Sequence, residues 1–146
     1  MSVPRKRIAV ITSAKRRPVE HSVTVLIIDD DPDARRMYSD YLRMKGWVAF
    51  TAVDGRSGLD KASDLTPDAI VLDLAMPRVD GWTALKQLRQ SSWTERIPVV
   101  VVSALTNVRD EAFHAGCDAY LIKPCPPEVV WQQIRSLMRF QPAARS

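Results

Sequence analysis

Val25-Leu26-Ile27-Ile28-Asp29-Asp30-Asp31 is the stretch on which the fold turns. A run of aliphatic and β-branched residues predicts a strand covered on both faces, as in parallel sheets, and the acids mark its carboxyl end. Working outward, the same plan recurs three times. Ile70-Val71-Leu72 ends in Asp73, Val99-Val100-Val101-Val102 ends in Ser103, and Tyr120-Leu121-Ile122 ends in Lys123-Pro124. In an open parallel sheet the carboxyl ends of the strands line one edge, where ligands bind. Residues as distant as Asp29 and Lys123 are therefore expected to share a pocket of acids, a hydroxyl and an ammonium. Such a set suits phosphoryl transfer to an aspartate.

Strand and helix signals alternate from residue 23 onward, which predicts an α/β fold built on βα repeats. A strand at 23–29 leads to a helix at 32–45, where Ala34, Met37, Tyr38, Tyr41 and Leu42 keep the spacing of one buried face. Gly46 stops that helix. A second strand at 47–52 precedes a short helix at 56–64 that carries Leu59 and Ala62 inward. The third strand is 69–73. A loop through Met76-Pro77-Arg78-Val79-Asp80-Gly81 then opens a helix at 82–90, with Trp82 as its core anchor. Pro98 opens the fourth strand, 98–103, and a weak helix at 107–115 ends at Gly116. The fifth strand is 119–122, and Val130, Ile134, Leu137 and Met138 give the last helix its inner stripe, with Trp131 at its edge. Right-handed crossovers place the helices on both faces, a doubly wound five-stranded parallel sheet.

The net charge of +4 divides unevenly. Residues 1–22 hold Arg5, Lys6, Arg7, Lys15, Arg16 and Arg17 against Glu20, six minus one, or +5; the remainder carries 15 basic and 16 acidic residues, or −1. The expected organisation is a basic N-terminal extension at 1–22, one domain at 23–140 and a tail at 141–146. No apolar stretch approaches the roughly 20 residues that span a bilayer. No basic-then-apolar secretory leader opens the chain, and Cys117 and Cys125 fit neither a disulfide framework nor a zinc spacing. A cytoplasmic location is expected. The basic arm offers an alternative function, a nucleic-acid-binding or phosphate-independent binding module. It lacks interleaved aromatics and a helix-turn-helix, so nucleic acid is not the expected partner.

Asp29-Asp30, Val71-Leu72-Asp73-Leu74-Ala75-Met76-Pro77 with Asp80-Gly81, Ser103-Ala104, and Tyr120-Leu121-Ile122-Lys123-Pro124 together resemble the receiver domain of two-component response regulators. The resemblance covers about residues 23–140. It implies the flavodoxin-like strand order 2-1-3-4-5, with a switch point between strands one and three where Asp30 and Asp73 face each other. It also implies a stand-alone receiver that accepts a phosphoryl group on Asp73 from a phosphohistidine on a sensor histidine kinase or histidine phosphotransfer protein. Crowded carboxylates repel, and Mg2+ prefers oxygen ligands. By resemblance its ligands are Asp29, Asp30, Asp73 and the backbone carbonyl of Ala75. Lys123 neutralises charge at the phosphoryl group, and Ser103 hydrogen-bonds it. Tyr120 is the aromatic switch that turns as Ser103 moves, repacking the surface of the last two strands and helices. Lys123-Pro124 is cis in relatives.

Three departures follow from the same comparison. Relatives carry an aromatic after Lys-Pro, where this chain has Cys125. Ala75 and Leu105, each two residues beyond a site residue, are apolar, which predicts slow self-dephosphorylation. An aspartate-nucleophile phosphatase would want an acid at position 75, so Ala75 argues against a hydrolase. The expected activity is self-phosphorylation alone rather than enzymic turnover, with output through an unidentified partner and homodimer formation among the options. His21 and His114 carry no expected role.

Overall fold

The computed structural model describes residues 22–77 and 80–139. The readings of 1–22 as a basic extension and 141–146 as a tail concern residues outside that range, Ser22 excepted. Five strands, β1 (Thr24–Ile28), β2 (Val48–Ala52), β3 (Ala69–Leu72), β4 (Val99–Ser103) and β5 (Ala119–Ile122), alternate with five helices. The helices are α1 (Pro32–Met44), α2 (Gly55–Leu65), α3 (Gly81–Gln90), α4 (Arg109–Ala115) and α5 (Pro127–Arg139). All strand pairs are parallel and the order is β2-β1-β3-β4-β5. Leu26 lies opposite both Phe50 and Ile70, and Val71 opposite Val100.

Strand alternation sorts the core into two layers. Leu26, Ile28, Ile70, Leu72, Val99 and Val101 pack with Ala62 of α2, Leu85 and Leu88 of α3 and Ala112 of α4. Val25, Ile27, Val71, Val100 and Val102 pack with Tyr38 and Leu42 of α1 and Val130 and Ile134 of α5. Every residue of β4 is buried, which is why it reads as an unbroken run of valines rather than an alternation.

Several local expectations shift. Met37 is 43% exposed, because the inner row of α1 is Ala34, Tyr38 and Leu42 at every fourth position. Trp82 is half-buried against the α2–α4 layer rather than sunk in the core. Trp131 packs at the helix edge as expected, its ring 6.4 Å from that of Tyr41 and 6.3 Å from that of Trp47. Helix α4 starts at Arg109 rather than 107, since Asn107 sits in the left-handed region at φ 63 and Val108 offers no side-chain cap. Gly46, at φ 87, follows α1 as the left-handed terminator. No helix among the described residues is long and apolar enough to cross a membrane.

Candidate functional site

The ladder continues one residue past the ends of β1, β3 and β5. Asp29 N–H donates to the Ala52 carbonyl at 3.2 Å, Asp73 N–H to the Ile28 carbonyl at 3.0 Å, and Lys123 N–H to the Ser103 carbonyl at 2.9 Å. Asp29, Asp73 and Lys123 therefore leave the sheet from a common edge with their backbones held. The acids that follow β1 divide their work. Asp29 is buried, Asp30 is exposed at the rim, and Asp31 caps α1 by accepting the Asp33 N–H at 3.0 Å.

Lys123 Nζ donates to Asp29 Oδ2 at 2.8 Å and to Asp73 Oδ2 at 3.1 Å, bridging two buried carboxylates. Their other oxygens accept backbone N–H groups, Asp31 on Asp29 Oδ1 and Ala75 on Asp73 Oδ1, both at 2.9 Å. Burial raises the pKa of Asp29, against the lowering effects of Lys123 and the Asp31 N–H. Burial pulls the Lys123 ammonium down, but hydrogen bonds and charge from Asp29 and Asp73 more than reverse that, so it stays protonated well above neutral pH.

Carboxylate oxygens of Asp29, Asp30 and Asp73 lie within 4.8 Å of one another. Three carboxylates against one ammonium leave two formal negative charges, which a divalent ion balances. The donors are all oxygen, with neither thiolate nor imidazole in the cluster, which fits a hard cation such as Mg2+. Ala75 enters the site through its N–H.

Ser103 is fully buried, and its Oγ accepts the Leu105 N–H at 3.3 Å. Tyr120 is half-buried, and its hydroxyl donates to the Leu105 carbonyl at 2.6 Å. The two expected switch residues thus both bond the backbone of Leu105, Ser103 at its N–H and Tyr120 at its carbonyl, a role that its apolar side chain does not announce. The Lys123–Pro124 peptide is cis, as the resemblance implied. Gly81, in the sequence only part of the receiver-like motif with Asp80, has a steric role in the fold. A Cβ there would lie 2.2 Å from the Asp73 carbonyl oxygen and 2.3 Å from Leu74 Cα, so only glycine lets α3 start this close to the acid-bearing turn.

The fold and the edge cluster define a class: a doubly wound α/β domain with an acidic, lysine-bridged pocket at its switch point. The family model of the response regulator receiver domain matches residues 25–135, and the chain belongs to that family. The DNA-binding dual master transcriptional regulator RpaA of Synechocystis sp. is 42% identical over 117 residues, 79% of this chain and 48% of that protein. The chain thus spans about half the length of the curated relatives it matches. The Vibrio cholerae chemotaxis protein CheY4 superposes with a TM-score of 0.75 at 30% identity, covering 80% of this chain and 98% of that one. The receiver domain of the Pseudomonas aeruginosa sensor histidine kinase PA1611 shares the fold at a TM-score of 0.74 and 24% identity, covering 82% of this chain and 99% of that one. That protein is described with a magnesium ion coordinated in its active site cleft.

Proposed function

We propose that Asp73 accepts a phosphoryl group from a phosphohistidine donor, a sensor histidine kinase or a phosphotransfer protein. The observation that carries this reading is the Lys123 ammonium bridging Asp29 and Asp73, with Asp30 beside them. An Asp73 carboxylate oxygen attacks the phosphorus, the nitrogen–phosphorus bond breaks, and the electron pair leaves with the donor imidazole. Phosphoryl transfer asks a protein mainly for positioning and charge neutralisation. Lys123 supplies a fixed positive charge on the Asp73 carboxylate. Asp29, Asp30, Asp73 and the Ala75 carbonyl would hold Mg2+, which supplies charge neutralisation at the phosphoryl oxygens.

On phosphorylation the Ser103 hydroxyl exchanges the Leu105 N–H for a phosphoryl oxygen. Tyr120, bonded to the carbonyl of the same residue, moves with it, and the surface of β4, β5, α4 and α5 becomes the signal. The domain works as a switch in the cytoplasm rather than as an enzyme with turnover.

Incubation with Mg2+ and acetyl phosphate, followed by intact mass, tests the reading. The wild type gains one phosphoryl group, while Asp73→Asn does not, and chelating the metal suppresses the gain. A wild type that stays unmodified, or an Asp73→Asn variant modified equally, would overturn it.

A further inference from the structure

Helix α1 is tied to Asp29 and to the loop that carries its ion-pair partner Lys123. Near its N-terminal end, Arg35 Nη1 donates to the Asp29 carbonyl at 2.8 Å. One turn on, the Tyr38 hydroxyl donates to the Cys125 carbonyl at 2.8 Å, two residues beyond Lys123. Arg35 and Tyr38 are three positions apart, so they project from one side of the helix. Tyr38 is 2% exposed, and its ring packs in the same layer as Cys125. A buried tyrosine hydroxyl needs a partner. Many carbonyls would serve, but the one it takes belongs to the loop that carries the ammonium.

We propose that Tyr38 is a positioning residue for Lys123: by holding the Cys125 carbonyl against α1, it sets where the ammonium stands relative to Asp29 and Asp73. Arg35 fixes the opposite side, so the lysine–carboxylate distances are gauged by one rigid helix. The hydroxyl is also close enough to the charges of Lys123, Asp29 and Asp73 to feel all three: burial, with Cys125 and the two carboxylates and against the Lys123 ammonium, pushes its pKa up to about 12. This inference rests on the phosphoacceptor reading of Asp73, which makes the placement of Lys123 matter to a rate.

A double-mutant cycle on the full chain tests it, with Tyr38→Phe, Lys123→Ala and the pair. Phenylalanine keeps the ring and removes only the hydrogen bond. The readout is the rate of Asp73 phosphorylation by acetyl phosphate at saturating Mg2+. Tyr38→Phe is expected to slow the wild type by about threefold or more, the worth of one hydrogen bond. The same change has no further effect once Lys123 is alanine. Equal slowing in both backgrounds shows a general structural role and overturns the proposal, as does an unchanged rate in the wild-type background. The nitrogen resonance of Lys123 Nζ reads the ion pair without any phosphorylation. Tyr38→Phe moves it towards that of solvent-exposed lysines, and an unmoved resonance also overturns the proposal. A wild type that accepts no phosphoryl group defeats the reading of Asp73 instead and leaves the resonance to decide the role of Tyr38.

Discussion

At the scale of single residues, contacts made through the backbone constrain the site as strongly as the charges do. Gly81 shows this most sharply, because the atoms in the way are the carbonyl of Asp73 and the Cα of Leu74, neither of which can swing aside. Gly81→Ala is expected to cost about 3 kcal/mol in urea denaturation and to displace the acceptor turn. Gly46 has open space around it and only its positive φ to satisfy, so Gly46→Ala should cost about 1 kcal/mol. A reversed order would refute the assignment of Gly81 to a packing constraint. Ala75 and Leu105, which by resemblance flank the proposed phosphoacceptor, carry no polar side-chain atom to orient water. The phosphoryl group on Asp73 is accordingly expected to persist, and decay as fast as in rapidly resetting chemotaxis receivers would contradict that.

At the scale of elements, the two ends of the molecule's order differ. Helix α1 has thirteen residues, a capping aspartate and Pro32 at its start, whereas α4 has seven and no side-chain cap. Val108→Asp would supply the missing acceptor at the α4 N-terminus, stabilising the domain by about 0.5–1 kcal/mol. It should also slow amide exchange in 109–115, which thermal melts and hydrogen exchange would register. Edge strand β2 shows a different device. Ala52 turns its carbonyl towards β1, so the carbonyls of Ala49 and Thr51 face the open edge, where Arg43 and Lys61 donate to them. Two cations thus cover a strand edge left unpaired among the described residues, with exposed Val48 and Phe50 on it. An Arg43→Ala, Lys61→Ala double variant is expected to associate with concentration in sedimentation, while the wild-type edge stays unpaired.

For the whole molecule, two buried groups and the half-buried Lys123 respond to alkali in one direction. Burial raises the Cys117 thiol from 9.0 to about 11 and the Tyr38 hydroxyl from 10.0 to about 12, and the carboxylates of Asp29 and Asp73 raise Lys123. Each binds its proton more tightly folded than unfolded. The stability they contribute is complete below the unfolded values and is lost as pH climbs through the folded ones. Melting temperature should fall progressively from pH 9 to 12, and Cys117→Ala should flatten the first part of that fall, between 9 and 11. Every site group comes from residues 29–123, so removing residues 1–21 should leave the Asp73 phosphorylation rate unchanged. A slower truncated chain would give the basic arm a part in the reaction.

Much of the fold was legible because burial on both faces is a local property. Four apolar runs and their terminal residues located the strands and the pocket, and glycines and prolines marked the breaks. Helix boundaries were less legible. Whether Met37 or Tyr38 faces inward depends on how α1 lies across the sheet, and the start of α4 depends on the left-handed turn at Asn107.

The sequence by itself determined which chemical groups stand at the strand ends, since a run of β-branched residues followed by an acid or a lysine declares its direction and its terminus. Only the tertiary structure decided that Lys123 bridges Asp29 and Asp73, that Ser103 and Tyr120 both grip the backbone of Leu105, that Gly81 must be glycine, and that Tyr38 bonds the Cys125 loop. Those facts are distances between segments remote along the chain, and packing alone sets them.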